Sequence, residues 1–525
     1  MKNILNYIDT HRHWVLVGII SFLSVVHFSL PMTITFDTSH YHTFLPIIDG
    51  VESLKTWDVA RGPVFPHLIS LIHEWFGYSH SGVVLGSWFF YVVSLLAIYF
   101  IAHRFFNGAS TLFSILIVFL VGMDPIIVGY FHTLLTEFVA ATFFLVSTAM
   151  AITWAKEPPS LKNWKFVGTS LGFIVLVPLA FHLKQPYVSS AIFPLLAALV
   201  FKVFTKEELM GKVFRGGIFV LCLGSLAASI VWWHNYLPEE AFLKHRGRSS
   251  QSFLYKQIRE GIKSFQYVGM VSNFNGAKLK EFRFSESDRN EIQSLSTKEK
   301  ACTRIWKGTS VDILGSCSAD TSTSGAILFT LKTFKADFWG TLGAYWHSYT
   351  RVATYNKPRF EENKAIAERV YHDTVLISNA FWVTPALSGF IAPYKQNNSA
   401  KIGFMGRLPF KWFIGQSRSM YKVVGVAAPF ILLLLVGLIL LNRKYPVFTG
   451  LSEKLVVPLF IINASVSLHV GAHAYLDAII DRYASPVFPM GYLGFLLFLG
   501  FALRVIKDVV PAIKVKENSE GKARA

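Results

Sequence analysis

Residues 82–102 read GVVLGSWFFYVVSLLAIYFIA, without one charged side chain, and His103 and Arg104 close the run. The hydrocarbon core of a bilayer is about 30 Å thick, and a helix rising 1.5 Å per residue crosses it in about 20 residues. This stretch therefore predicts a membrane-spanning helix. Nine further stretches share its character: 14–34, 110–130, 133–153, 166–182, 186–203, 216–233, 423–441, 454–474 and 485–503. The first follows no cleavable signal pattern and reads as a retained anchor. The expected fold is an all-α polytopic membrane protein with about ten transmembrane helices.

Composition agrees with that reading. The chain has 525 residues, 52% of them hydrophobic and 16% charged, with 47 phenylalanines and a mean hydropathy of +0.43. Soluble domains carry about 25% charged residues. An ordinary soluble enzyme and a disordered chain are both excluded.

Two polar regions interrupt the spans: an outer loop at 35–80 and a long segment at 234–422. The chain therefore divides into an N-terminal transmembrane module, 1–233, a large soluble domain of mixed or α-rich structure, 234–422, and a C-terminal transmembrane module, 423–525. Inside the long segment, 324–346 and 375–394 are apolar but interrupted, for example by Lys332, Lys335 and Asp337. They read as amphipathic or interfacial helices, with a hairpin through the membrane as the alternative. The stretch 404–422, with Phe410, Trp412 and Phe413 among Arg407, Lys411 and Arg418, also reads as an interfacial helix.

Charge sets the orientation. With the N-terminus in the cytoplasm, the short inner segments hold 19 Lys and Arg and the short outer ones hold four: Lys55, Arg61, Lys184 and Arg482. The positive-inside rule then places both termini in the cytoplasm and 234–422 outside, in the periplasm of a bacterial inner membrane. The formal charge of +18 thus marks membrane orientation and not a nucleic-acid partner. The outer domain carries a net +12, suited to anionic headgroups or an anionic glycan. Cys302 and Cys317 lie in it. In an oxidising compartment they are expected to form a disulfide, stabilising by about 3 kcal/mol in the chain-entropy model.

Ionisable residues near spans are costly and usually functional. Here they gather at the outer ends of helices: Asp37, His40 and Tyr41 after the first span, Arg61 in the first loop, Asp124, His132 and Glu137 about the turn between spans three and four, His182 and Lys184 between five and six, and His469, His473 and Arg482 near the last outer turn. Acids and bases at one depth describe an active site at the membrane surface. A conduction path would place them at mid-depth. His469 and His473 have the i, i+4 spacing of a metal pair, but no third ligand adjoins them, so no metal site is assigned.

Four features together resemble the GT-C glycosyltransferases, which take sugar from a polyprenyl-phosphate carrier and include protein mannosyltransferases and bacterial lipid A aminoarabinose transferases. They are Asp37 after the first span, the Arg61-x-Pro63-x-x-Pro66 turn into the second, Glu137 opening the fourth, and Arg482-Tyr-x-x-Pro486-x-x-Pro489 opening the last. The resemblance covers 14–203 and the last 50 residues, and not 234–422. It implies an inverting transfer of one sugar to an acceptor outside the cytoplasm: a surface glycan such as O-antigen, a lipid or a protein. Asp37 is the expected general base. Arg482, Lys184 and Arg61 are the expected ligands of the donor phosphate. His40, Tyr41, Asp124, His132 and Glu137 are expected to position sugar or acceptor. The donor is a substrate and no cofactor is assigned. Many relatives pair the first-loop acid with a second one, whereas Phe36 and Thr38 flank Asp37 here, so the pattern gives a divalent metal no support. Two other readings fit a multi-pass chain with a large outer loop: an O-antigen polymerase or ligase, and a transporter or flippase.

Overall fold

The computed structural model of the chain describes residues 10–29, 41, 43–59, 61–77, 80–106, 111–124, 127, 131, 136–204, 208–246, 334–335, 338–353, 410–444, 453–475 and 487–503. Among them there is no strand. The helices are α1 (Arg12–Ser29), α2 (Val64–Phe76), α3 (His80–Phe106), α4 (Thr111–Gly122), α5 (Thr136–Lys156), α6 (Trp164–Leu183), α7 (Ser189–Phe204), α8 (Leu209–Tyr236), α9 (Glu239–Arg246), α10 (Phe338–Ala353), α11 (Phe410–Lys444) and α12 (Glu453–Tyr475), followed by α13 (Phe488–Leu503).

The all-α polytopic class holds, and the span count is corrected. Seven helices among the described residues are long and apolar enough to cross a membrane, against the ten expected. The other three expected spans coincide with shorter apolar helices, Arg12–Phe28, Thr111–Gly122 and Phe488–Leu503. The 12 residues of α4 rise only about 18 Å. Hydropathy counted apolar residues through 110–130, but the described helix stops at Gly122 and the chain turns at Met123–Asp124.

Two other expectations are revised. The stretch from 410 does not form a separate interfacial helix. It runs on into the span as one 35-residue helix. The apolar segment expected at 324–346 yields a described helix at Phe338–Ala353, packed along α12 and α11. Its Tyr349 hydroxyl donates to Gly425 O at 3.1 Å, while Trp339 and Phe338 stay exposed. Aromatic side chains of this kind suit the headgroup layer.

α5 is the centre of the bundle. It packs against α3, α6, α7 and α12, and 78% of its span is buried. Its sequence, TEFVAATFFLVSTAMAITWAK, explains why. Ala, Ser and Thr let neighbouring backbones approach, and in lipid that close packing replaces the hydrophobic driving force. Small hydroxyls then join the helices pairwise. Ser147 Oγ donates to Ser190 O at 2.5 Å, Trp154 Nε1 to Ser170 Oγ at 3.1 Å, Ser225 Oγ to Ile174 O at 3.0 Å and Tyr91 Oη to Gly122 O at 2.7 Å. Such links average about 0.6 kcal/mol each in a membrane. Their number fixes the register.

The two ends of the bundle differ. At one end Arg215, 1% exposed, donates to Trp154 O and to Glu157 O at 2.6 Å. Its guanidinium lies over the rings of Trp154 and Phe166, at 4.7 and 5.1 Å. Glu157 in turn pairs with Arg104 at 3.3 Å and accepts from Asn163 Nδ2 at 3.1 Å. Arg215 therefore satisfies the open carbonyls at the C-terminal end of α5, which a helix leaves without intrahelical partners. Hydrogen bonds from a charged donor contribute about 1.5–3 kcal/mol each. Arg215→Met is expected to lower stability by about 3 kcal/mol, read as a fall of several degrees in the thermal midpoint of the detergent-solubilised protein, with helical content unchanged before the transition.

Candidate functional site

The opposite end gathers the first loop and the ends of α4 to α8, α12 and α13. The loop forms a wedge. Residues Leu45–Ile48 make one helical turn. Gly50, at φ 74°, reverses the chain where a β-carbon would be strained. A 3-10 turn follows at Leu54–Thr56, where Lys55 N donates to Ser53 Oγ at 3.3 Å. Trp57, 1% exposed, then anchors the wedge. Its ring meets Phe44 at 4.5 Å and Trp233 of α8 at 5.3 Å, and its Nε1 donates to Arg61 O at 3.0 Å.

Arg61 is placed from two sides. The indole of Trp57 holds its carbonyl. Next to it, Gly62 lies on the last turn of α6. A β-carbon there would overlap the His182 carbonyl oxygen and come within 2.6 Å of its carbon and 2.8 Å of its Cα. Only glycine permits that approach, and Pro63 then opens α2 as its N-cap. Two residues beyond His182 stands Lys184, in an extended conformation between α6 and the 3-10 turn Gln185–Val188. The backbone contact thus brings the turn that carries Arg61 to the end of α6, two residues before Lys184. Lys184 is only 8% exposed.

Tyr41 completes this corner. The Arg61 guanidinium lies over its ring at 5.6 Å, and the ring meets Phe65 of α2 edge-on at 4.7 Å. Phe65 in turn meets Phe138, the neighbour of Glu137, at 6.1 Å. Tyr41 is 2% exposed, and its hydroxyl is buried without a hydrogen-bond partner among the described residues. A buried donor left unpaired costs about 1–3 kcal/mol, so its occurrence beside a cation calls for an explanation.

The remaining predicted residues divide as follows. Glu137 sits in the first turn of α5 at 1% exposure and accepts from Thr136 Oγ1 at 3.2 Å. Asp124 caps the chain after α4, accepting from Ile127 N at 3.2 Å. It lies close enough to Tyr492 of α13 for their charges to interact. His182 pairs with Ser229 Oγ of α8 at 3.1 Å. Asp37, His40, His132, Arg482, Cys302 and Cys317 lie outside the described residues. Arg61, Tyr41, Glu137 and Lys184 are thus linked through Gly62, Phe65 and Phe138, while Asp124 faces the head of α13.

With this geometry in view, one comparison is informative. Residues 60–233 match the family model for dolichyl-phosphate-mannose-protein mannosyltransferases. The match supports a membrane glycosyltransferase of the GT-C type. No curated protein and no solved structure matches the chain. The matched segment begins just before Arg61 and ends on Trp233, so it contains the wedge contact, Asp124, Glu137 and Lys184. It leaves out Tyr41 and all of the C-terminal module.

Trp57, Gly62 and Trp233 escaped the sequence reading. Gly62 had a signal, since Arg-Gly-Pro marks a turn where backbone comes close to something. The indoles had none, because a tryptophan near a membrane surface is ordinary. Beyond the wedge, Lys55 of the 3-10 turn pairs with Glu240 of α9 at 3.0 Å, and this hydrogen bond holds the Glu240 carboxyl below its usual range.

The seat of Gly62 gives a direct test. Gly62→Ala must push the Arg61 turn off His182, and transfer activity is expected to fall by at least about tenfold, since misplacements near 1 Å can lose about a hundredfold. Gly168→Ala, where a β-carbon meets nothing within 4 Å, is expected to retain activity. The measurement is initial rate at equal protein in membranes.

Proposed function

We propose that this protein transfers a single sugar from a polyprenyl-phosphate carrier to an acceptor on the periplasmic side of a bacterial inner membrane, with both termini in the cytoplasm. The observation that supports the reading is the seating of Gly62 on the His182 carbonyl, which brings the backbone that carries Arg61 to the end of α6, two residues before Lys184. A phosphate head at the membrane surface is the kind of group that Arg and Lys side chains at such a corner would bind.

In the proposed reaction Asp37 takes the proton of the acceptor hydroxyl as its oxygen bonds to the anomeric carbon. The bond from that carbon to the phosphate oxygen breaks, and the electron pair leaves with the polyprenyl phosphate. Arg61, Lys184 and Arg482 stabilise the charge that grows there, which is usually the largest catalytic contribution. The sugar passes through an oxocarbenium-like state, and a single displacement inverts the anomeric centre. Tyr41 would give its buried hydroxyl to the bound donor. His40, Asp124, His132 and Glu137 would orient the sugar or the acceptor. The acceptor is a surface glycan, a lipid or a protein, and the segment 234–422 would help select it. No cofactor enters this scheme.

The test is transfer from synthetic polyprenyl-phosphate sugars in membranes holding the full chain. Wild type is expected to transfer. Asp37→Asn should lose roughly 10²–10⁴ of the rate, and Lys184→Met roughly 10²-fold in kcat/KM. Equal rates for wild type and Asp37→Asn would overturn the reading, as would use of diphosphate-linked oligosaccharides alone.

A further inference from the structure

The corner that carries Lys184 is fastened from a second direction, by a residue far away in the chain. Ser189, at the start of α7, donates its hydroxyl to Pro186 O at 2.7 Å. The same oxygen lies 2.8 Å from Nδ1 of His469, on α12. A serine hydroxyl has one hydrogen, so both contacts are satisfied together when that hydrogen goes to Pro186 O and the imidazole is the tautomer that donates from Nδ1. Ser190 Oγ closes the neighbouring bond to Tyr187 O at 2.6 Å, and Tyr187 N closes one to Lys184 O at 2.8 Å. Ser189 N also donates to Tyr187 O, which joins these bonds into one set from Lys184 to Ser190, with His469 as its tie to the C-terminal module.

His469 is held firmly in turn. It is fully buried, edge-on to Phe144 of α5 at 5.2 Å and 4.6 Å from the His473 ring. A polar ring packed so closely between helices has little freedom, and a rigid ring holds what it bonds to.

We infer that His469 is a positioning residue for the donor site: by donating to Ser189 it fixes the 184–189 turn, and through that turn the placement of the Lys184 ammonium. The C-terminal module, outside the segment that matches the mannosyltransferase family, thereby takes part in the site through a side chain that need not touch substrate. The inference rests on the proposed role of Lys184 in holding the donor phosphate, and its test separates the two.

The variants are His469→Phe, which keeps the ring and loses the donor, His469→Asn, which returns an N–H donor near the same place, and Ser189→Ala. All are made in the full chain in membranes. The first readout is kinetic. With polyprenyl-phosphate sugar, His469→Phe and Ser189→Ala should each raise donor KM by about tenfold, the factor of one ordinary hydrogen bond, with kcat changed less than about twofold. The double variant should be no worse than either single one, and His469→Asn should recover most of the loss. The second readout needs no substrate: labelling of Lys184 by an amine-reactive reagent, followed by peptide mass spectrometry, should quicken in His469→Phe and Ser189→Ala and return towards wild type in His469→Asn.

Unchanged labelling in both Ser189→Ala and His469→Phe would overturn the inference, as would additive losses in the double variant. Faster labelling with an unchanged donor KM would uphold the positioning and remove Lys184 from the phosphate site. Should His469→Phe fail to fold, Ser189→Ala decides by the same two measurements.

Discussion

Gly62 lies on the His182 carbonyl with no space for a side chain between them, and the first loop packs on the bundle through that contact. It lets the first loop fold down onto the bundle instead of standing away from it. Trp57 holds the loop from above by its bond to Arg61 O, and Pro63 sends the chain into α2 beneath. A hydrogen atom in place of a methyl group is therefore what allows the turn beside Arg61 to sit against the end of α6.

The opposite end shows what charged groups do when their role is only to hold helices. Arg215, Glu157, Arg104 and Asn163 satisfy one another and the α5 carbonyls in a closed set. At the site end the arrangement is different. Tyr41 keeps a buried hydroxyl without a partner beside the Arg61 guanidinium. Buried hydroxyls without a partner among the described residues also occur elsewhere, at Ser114 and Thr148; Tyr41 differs from them in lying under a guanidinium, where the proposed donor phosphate would bind.

The site is also tied to segments outside the matched family region. α9 opens the long outer segment and pairs with the first loop through Lys55 and Glu240, with Phe242 buried against His234 at 4.5 Å. His469 reaches the Lys184 turn from the C-terminal module. The first contact holds the first loop and the second the turn after Lys184, so parts of the chain outside the matched segment pack against the candidate site.

Much of the architecture was legible in residues such as those at 82–102. In lipid a backbone must satisfy its own hydrogen bonds, so an uncharged run of that length has one solution, a helix. The alternation of helices, and hence the gathering of Asp124, Glu137 and Lys184 at one end, followed from counting runs and charges. Hydropathy did not show that Thr111–Gly122 stops short, nor that residues 410–444 continue as one helix, because it measures transfer into lipid and not where a chain turns. The pairing of Gly62 with His182, of Trp57 with Arg61 and of Ser189 with His469 had no trace in spacing. Those partners are separated by up to 280 residues, and only the packing of α5 against its neighbours decides which side chains come within reach.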